Sequence, residues 1–154
     1  MTETENLLPI EVIRHSAAHI LAQAVQKLIP EAKLGIGPAI EDGFYYDFEL
    51  PRPLSDTDLK EIENVMKKII KEKQDFVHYD LSKEETIKKL TEQNQPYKLE
   101  LVEDLDLPEY SFYENGPFVD LCKGPHCSRT NNLKAFKLLK VAGAYWKGSE
   151  KNPM

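Results

Sequence analysis

The sequence predicts an α+β domain in which a mostly antiparallel sheet packs on a His-bearing helix, with an α/β lobe inserted over approximately residues 55–95. Three observations predict this class: a helical repeat of apolar residues near the N-terminus, an Asp-Gly turn between two alternating segments, and a second half rich in short β-type runs. The chain has 154 residues, of which 41% are hydrophobic and 30% charged, as expected of one folded domain with a core.

The first predicted element is a helix over residues 11–29, ended by Pro30. Its apolar stripe recurs at helical spacing and consists of Ile13, Ala17, Ile20, Leu21, Ala24 and Leu28. At about 100° per residue, His15 and His19 lie one turn apart on another face, beside the small side chains of Ala18 and Ala22. This face therefore has room for a ligand to approach both imidazoles.

A β-hairpin is predicted next, over residues 33–50, with its turn at 41–43 because Asp-Gly supplies the dihedral angles of a tight turn. Alternation places Tyr46 on one face with neighbouring apolar residues. The Gly35-x-Gly37-Pro38 element lacks the rest of a nucleotide-binding fingerprint. We expect close approach of backbone there and not a phosphate loop.

The predicted lobe consists of an amphipathic helix, a strand over 76–81 and a helix that starts at the capping sequence Ser82-x-x-Glu85. His78 alternates within that strand and has no second histidine or cysteine nearby in sequence, so we expect no functional role for it. The chain then reads as β-rich, with strand-like runs at 97–102, 110–113 and 117–122, and a less certain one at 135–146.

Two of these runs carry polar side chains at positions that matter for a site. In the first, alternation turns Lys98 away from the face shared by its apolar neighbours. In the run at 117–122, Asp120 and Cys122 share a face. Gly124-Pro125 keeps the following Cys122-x3-His126 pair off a continuous helix, so this thiol and imidazole can face each other across a loop.

Two interpretations of the polar residues stay open on residue types alone. The His15-x3-His19 and Cys122-x3-His126 pairs together supply four nitrogen and sulfur ligands, which tetrahedral zinc accepts. Alternatively, Lys98, Asp120 and Tyr113 join them in a metal-free polar pocket that positions water. The histidines could also be structural.

Charge and targeting signals bound the setting. The net charge is −6, but residues 1–122 carry −12 and residues 123–151 carry +6. This split favours a polyanionic substrate held by one edge over a general nucleic-acid coat protein, although a lysine-rich solvated face gives the same pattern. The sequence has no apolar run of membrane-spanning length and no signal peptide, so we expect a cytoplasmic protein and no membrane partner. In that compartment we expect Cys122 and Cys127 to be thiols, ligands or site residues and not a disulfide.

Four separated motifs, IRHSAAHILAQAV, IGPAIEDGFYYDF, FVDLCKGPH and GAYWKGSEKNPM, together resemble the second N-terminal domain of bacterial threonyl-tRNA synthetase, the editing domain, which shares its fold with alanyl-tRNA editing enzymes. The resemblance covers 11–154 and leaves 1–10 as an N-terminal extension. It implies a translation-fidelity hydrolase that releases serine mischarged on threonine tRNA. Its partners would then be the acceptor end of that tRNA and the remainder of a synthetase, with the module itself monomeric and either excised from or appended to the larger enzyme.

The resemblance also assigns site residues. Those expected to be catalytic, or to wall and orient the pocket, are His15, Lys98, His19, Cys122 and His126, and those expected to hold the substrate are Tyr46, Gly37, Asp120 and Tyr113. The threonyl branch works without requiring metal, so we favour no cofactor, whereas the alanyl branch places zinc on the four-ligand set. The competing hypothesis is a zinc-stapled nucleic-acid binding module without catalysis.

Overall fold

A computed structural model describes residues 10–35, 39–40, 43–122, 126–133, 136 and 138. In this part of the chain the helices are α1 (Ile10–Leu28), α2 (Asp56–Lys71), α3 (Lys83–Glu92) and α4 (Pro96–Leu105). The strands are β1 (Lys33–Leu34), β2 (Ala39–Ile40), β3 (Gly43–Phe44), β4 (Phe48–Glu49), β5 (Val77–Ser82), β6 (Glu109–Asn115) and β7 (Phe118–Leu121). A 3-10 turn, Thr130–Asn132, follows.

The largest apolar cluster lies between α1 and α2. The apolar stripe predicted for α1 contributes Ala17, Ile20 and Ala24, and α2 contributes Ile62, Met66 and Ile69, all of them buried. Ser55 caps the N-terminus of α2: its side chain accepts the backbone N–H of Asp58, while the Asp58 carboxylate accepts the N–H of Ser55. The first two predicted helices are confirmed, and packing on α2 holds α1 and its histidines in place.

The predicted hairpin is confirmed in an interrupted form. Strand β1 pairs with β4, and β2 pairs with β3, both antiparallel. Between these short ladders Gly35 approaches the backbone of Asp47 so closely that an added Cβ would lie 2.9 Å from the Asp47 carbonyl oxygen. Close backbone approach was predicted for this glycine element, and the second glycine, Gly37, lies outside the described residues.

A three-stranded antiparallel sheet, in the order β5-β6-β7, forms the second half of the fold. Strands β6 and β7 are joined by the two-residue turn at Gly116 and Pro117, since Asn115 pairs with Phe118. Helices α3 and α4 pack on this sheet through Leu90 and Val102. The α+β class is confirmed, and the strand at 76–81 that was predicted within the inserted lobe is the edge strand of this sheet.

The strand predicted at 97–102 is wrong, because these residues belong to helix α4. Pro96 occupies the first turn, where its missing N–H is not needed, and the helix ends at Asp106 in the left-handed conformation with φ 44°. The buried positions are Lys98 and Val102, one turn apart. Most of the strand predicted at 135–146, most of the basic segment 123–151 and residues 1–9 lie outside the described residues.

Candidate active site

One open cavity of about 500 Å³ collects most of the polar residues singled out in the sequence. Its polar lining includes His15, His19, Tyr46, Lys98, Asp120, Cys122 and His126. Its apolar lining includes Leu101, Leu105 and Leu107. A concave site with apolar lining and convergent polar groups is the usual form of a small-molecule or substrate-end pocket.

The two histidine and cysteine motifs meet in this cavity. The Cys122 sulfur lies 3.4 Å from Nε2 of His15 and 3.2 Å from Nε2 of His126. The rings of His15 and His126 are 4.6 Å apart at their centroids. Residues separated by more than 100 positions along the chain therefore form one cluster, as the sequence predicted.

Ser16 holds this cluster in place from α1. Its Oγ accepts the backbone N–H of Cys127 at 2.9 Å and lies 3.1 Å from Nδ1 of His126. Because the hydroxyl accepts from Cys127, its own proton can be donated to Nδ1, which leaves Nε2 of His126 facing the Cys122 sulfur. Burial, together with the neighbouring His19 and His15, lowers the pKa of His126 to about 2, so its imidazole is neutral near pH 7.

His19 lies deeper than His15. It is 2% exposed, its ring contacts those of Phe76, Phe118 and His126 edge-on, and its Nε2 lies 2.7 Å from Oδ1 of Asn115. Burial lowers its pKa to about 4, against the opposing effect of Asp120. His19 is therefore a neutral side chain of the cavity wall near pH 7.

A buried ion pair forms another part of the cavity wall. Nζ of Lys98 lies 3.3 Å from Oδ1 of Asp120, with both side chains only 5% exposed. Tyr46 donates its hydroxyl to Oδ2 of the same carboxylate at 2.7 Å, and Lys98 also lies 5.5 Å from the centre of the Tyr46 ring. Burial and Asp120 raise the pKa of Tyr46 well above its usual value, so the phenol stays protonated. Helix α4, and not the predicted strand, brings Lys98 to this position.

Tyr113 does not line the cavity itself but packs against residues that do. It is paired with Asp120 across β6 and β7, and its ring packs edge-on against His126 at 4.5 Å. The structure thus brings together eight of the nine predicted site residues, and Gly37 lies outside the described part of the chain. His78 does not line the cavity: it is half-exposed, lies 3.2 Å from Asp80, and packs its ring on that of Tyr113 at 5.0 Å.

The donor set fits a metal ion only in part. One ligand atom from each of His15, Cys122 and His126 can be chosen so that all lie within 4.8 Å of one another, close to the spacing of tetrahedral zinc ligands. His19 is not part of this group, so the described residues offer three ligands and not the predicted four. A zinc ion on these three would act as a Lewis acid toward a bound water.

Several residues that shape the site were missed in the sequence. Ser16 sits inside the histidine motif itself, so its position next to His15 was the available signal. Asn115 precedes Gly116 and Pro117, and Asn-Gly-Pro predicts a turn, which conceals its side-chain contact with His19. Gln23 is one helical turn from His19, and that spacing was its signal.

Comparison with known proteins first defines the class. The family described as "Threonyl and Alanyl tRNA synthetase second additional domain" matches residues 110–154, which include β7, Asp120, Cys122 and His126. The α+β fold and the histidine and cysteine cluster accompany this match. The class is therefore a second additional domain of the threonyl and alanyl synthetase type.

Similar curated proteins show whether the chain belongs with the threonyl or the alanyl synthetases. The chain is 57% identical over 145 residues to threonine–tRNA ligase of Acetivibrio thermocellus, covering 94% of the chain and 23% of that protein. It is 53% identical over 152 residues to threonine–tRNA ligase of Dehalococcoides mccartyi strain BAV1, covering 99% and 26%. For the Clostridium tetani ligase the identity is 53% over 145 residues, covering 94% and 23%. The chain belongs to the threonyl-tRNA synthetase family through this domain.

The chain spans about a quarter of the length of these curated relatives. Within the described residues, no helix is both long enough and apolar enough to cross a membrane.

Proposed function

We propose that this chain is an aminoacyl-tRNA deacylase module of a threonyl-tRNA synthetase, which hydrolyses the ester of serine mischarged on threonine tRNA. The observation that carries the proposal is the convergence of the His15, Cys122 and His126 cluster with the Lys98–Asp120 pair around one open cavity. Its partners are the acceptor end of that tRNA and the remainder of the synthetase, and the reaction takes place in the cytoplasm.

The reaction needs one water delivered to the ester carbonyl. His15 is the best-placed base, because it lines the cavity, is less buried than His19 and is oriented by the Cys122 sulfur. A proton passes from the water to the imidazole as the oxygen attacks. When the tetrahedral intermediate collapses, the ribose oxygen takes this proton back from the imidazolium and leaves, so the products are free serine and the tRNA hydroxyl and the base is regenerated.

Lys98 supplies the charge that the transition state requires. The ammonium lines the cavity and is held by Asp120, so it needs no rearrangement to donate to the developing oxyanion. Asp120 and Tyr46 form an anionic, hydrogen-bonded edge that suits the amino group and hydroxyl of serine. His19, His126, Cys122 and Tyr113 wall and orient this pocket, and backbone near Gly37 remains a proposed contact.

The need for such a site follows from magnitudes. Serine lacks one methyl group of threonine, and a missing methyl group changes binding by only about 1–3 kcal/mol, so a synthetic site cannot exclude serine well enough. A second site that hydrolyses only the smaller product supplies the missing selectivity.

A panel of charged tRNAs tests the proposal. The chain is mixed with threonine tRNA carrying serine, threonine or alanine, and release of each amino acid is followed over time. We expect serine to be released at least about tenfold faster than threonine, as differential binding of one methyl group allows. Equal release of all three, or none of any, would reject the proposal.

The three-ligand cluster favours one competing function, a zinc-stapled nucleic-acid binding module. That function needs no Lys98–Asp120 pair inside the cavity and predicts that the fold is lost with chelator. Zinc content after purification without chelator, and serine release after stripping, separate the two. Activity that is lost on stripping and restored by zinc would overturn the metal-free choice that we favour.

A further inference from the structure

Behind His19 lies a network of three amide side chains that the proposed reaction does not use. Asn115, 1% exposed, donates through Nδ2 to Oε1 of Gln23 at 2.5 Å and to Oε1 of Gln74 at 2.8 Å. Gln23, 6% exposed, donates to the same Gln74 oxygen at 3.2 Å. The side-chain oxygen of Asn115, Oδ1, faces Nε2 of His19.

The direction of this network is set from its outer end. Glu72 lies at the surface, and its carboxylate can only accept, so the Gln74 amide must turn its NH2 group toward it, at 2.6 Å. The Gln74 oxygen therefore points inward and requires donors from Gln23 and Asn115. Turning over the Asn115 amide would bring its oxygen against two other carbonyl oxygens, which the buried setting penalises.

The backbone around Gln74 makes the arrangement rigid. Its N–H donates to Oγ1 of the buried Thr130 at 3.0 Å, and its carbonyl accepts from the N–H of Thr130 at 2.9 Å. Its side chain lies against Gly116, where a Cβ would come within 2.8 Å of the amide nitrogen. The amides thus come from α1, the α2–β5 loop and the end of β6, and they meet only because these three segments are fixed.

The consequence for His19 is a defined tautomer. Since the Asn115 oxygen can only accept, Nε2 of His19 carries the proton. In the neutral ring Nδ1 is then a lone-pair acceptor, and this atom is buried without a hydrogen-bonding partner among the described residues. The lowered pKa of His19 agrees with a neutral ring.

We propose that Asn115, Gln23 and Gln74 are positioning residues that fix His19 as the Nε2–H tautomer and hold its ring against His126. His19 then stays in the cavity wall as a neutral ring whose buried Nδ1 carries no proton, so it supplies no proton to the reaction. The part of this inference that concerns turnover rests on the proposed deacylase function. The tautomer assignment does not.

The test reads the tautomer directly, from the ¹⁵N spectrum of histidine-labelled protein. The wild-type chain should show His19 protonated at Nε2 only. In the double variant Gln23→Met/Gln74→Met the Asn115 amide loses both acceptors and can turn over, so His19 should show both tautomers. Gln95→Met is the matched control, because Gln95 is equally buried but accepts from the N–H of Leu34 and touches no part of the network.

A second variant covers the possibility that the double variant does not fold. Glu72→Lys replaces the outer acceptor by a donor at the surface, so it should shift His19 toward the Nδ1–H tautomer, whereas Glu92→Lys, also exposed, should not. Serine release should fall between about 10-fold and 100-fold in the double variant, as expected when a site group is misplaced.

An Nδ1–H tautomer in the wild-type chain, or an unchanged tautomer in both the double variant and Glu72→Lys, would overturn the inference. If the tautomer behaves as expected but the wild-type chain releases no amino acid, the proposed function fails and the positioning network stands. Unchanged serine release with a changed tautomer would remove the role in turnover.

Discussion

At the scale of single residues, the site depends on imidazoles that are kept neutral by burial. His19 and His126 are packed against each other at 4.8 Å, and burial lowers the pKa of both. Such rings can accept or donate hydrogen bonds near pH 7 without carrying charge into a pocket that already contains a buried ion pair. His15 is nearer the solvent, and the proposed function uses it for proton transfer.

This arrangement predicts how stability depends on pH. The unfolded chain has histidine pKa values near 6.5, and the folded value of His19 is about 4, so the unfolded state binds more protons between these values. The free energy of unfolding should therefore fall as pH drops from 7 to 5, by about 2 kcal/mol for His19 alone, with a further loss in the same direction from His126. Urea unfolding at several pH values measures this.

Replacement by a side chain that does not titrate supplies the control. His19→Gln should be less stable at pH 7 but should show a shallower fall toward pH 5 than the wild-type chain. A fall of the same steepness in this variant would mean that other groups produce the pH dependence.

At the scale of elements, α4 shows where sequence patterns mislead. Its apolar residues alternate over 97–101 as in a strand, because the helix uses two faces: Leu99 and Val102 pack on the sheet, while Leu101 and Leu105 line the cavity. A helix with apolar residues on two sides has no single stripe to recognise. The Pro96 start was the better signal.

Elements with one buried face could be predicted. Helix α1 presents a single apolar stripe to α2, and the face assigned to His15 and His19 followed from spacing alone. In β7 the predicted faces are also confirmed, with Phe118 packing toward α1 and β1 and Val119 and Leu121 packing under α3 and α4. Which hydrogen-bonding partners a buried polar residue finds, such as Asn115 for His19, depends on other segments and has no local pattern.

The turn between β6 and β7 carries a prediction at this scale. Gly116 has φ 55°, and an added Cβ would meet the Gln74 amide at 2.8 to 3.1 Å, so Gly116→Ala should destabilise the fold by about 1–3 kcal/mol. Gly43→Ala is the matched control, since no atom lies within 4 Å of the position that its new methyl group would take and its φ is not in the left-handed region. Thermal unfolding compares the two, and equal losses would contradict a special requirement at 116.

At the scale of the whole molecule, the site forms only when the complete domain is folded. Cys122 and His15 are separated by 107 positions, and Lys98 arrives from a third segment that packs on the far sheet. The types of residue needed for the chemistry could be read from the sequence. The sequence could not show whether three or four of these ligands come together, because the distances between them depend on how α1 packs against β6 and β7.

The charge distribution belongs to the same scale. The basic residues 123–151 follow β7 directly in sequence, next to Cys122. The described residues around the cavity include the acidic Glu109 and several leucines. Electrostatic attraction for tRNA therefore remains a prediction for the basic segment, most of which lies outside the described residues.

Serine release by matched histidine and lysine variants tests the central claim most directly, that remote residues form one hydrolytic site. Circular dichroism checks that the variants are folded. This control is needed because Lys98→Met leaves the Asp120 carboxylate buried without its cation and should lower the free energy of unfolding by about 3 kcal/mol. With threonine tRNA charged with serine as substrate, His15→Ala and Lys98→Met should each release serine at least about 100-fold more slowly than the wild-type chain. The control variant His78→Ala, at a half-exposed position, should keep the wild-type rate. Folded His15→Ala and Lys98→Met proteins that release serine as fast as His78→Ala would contradict the account.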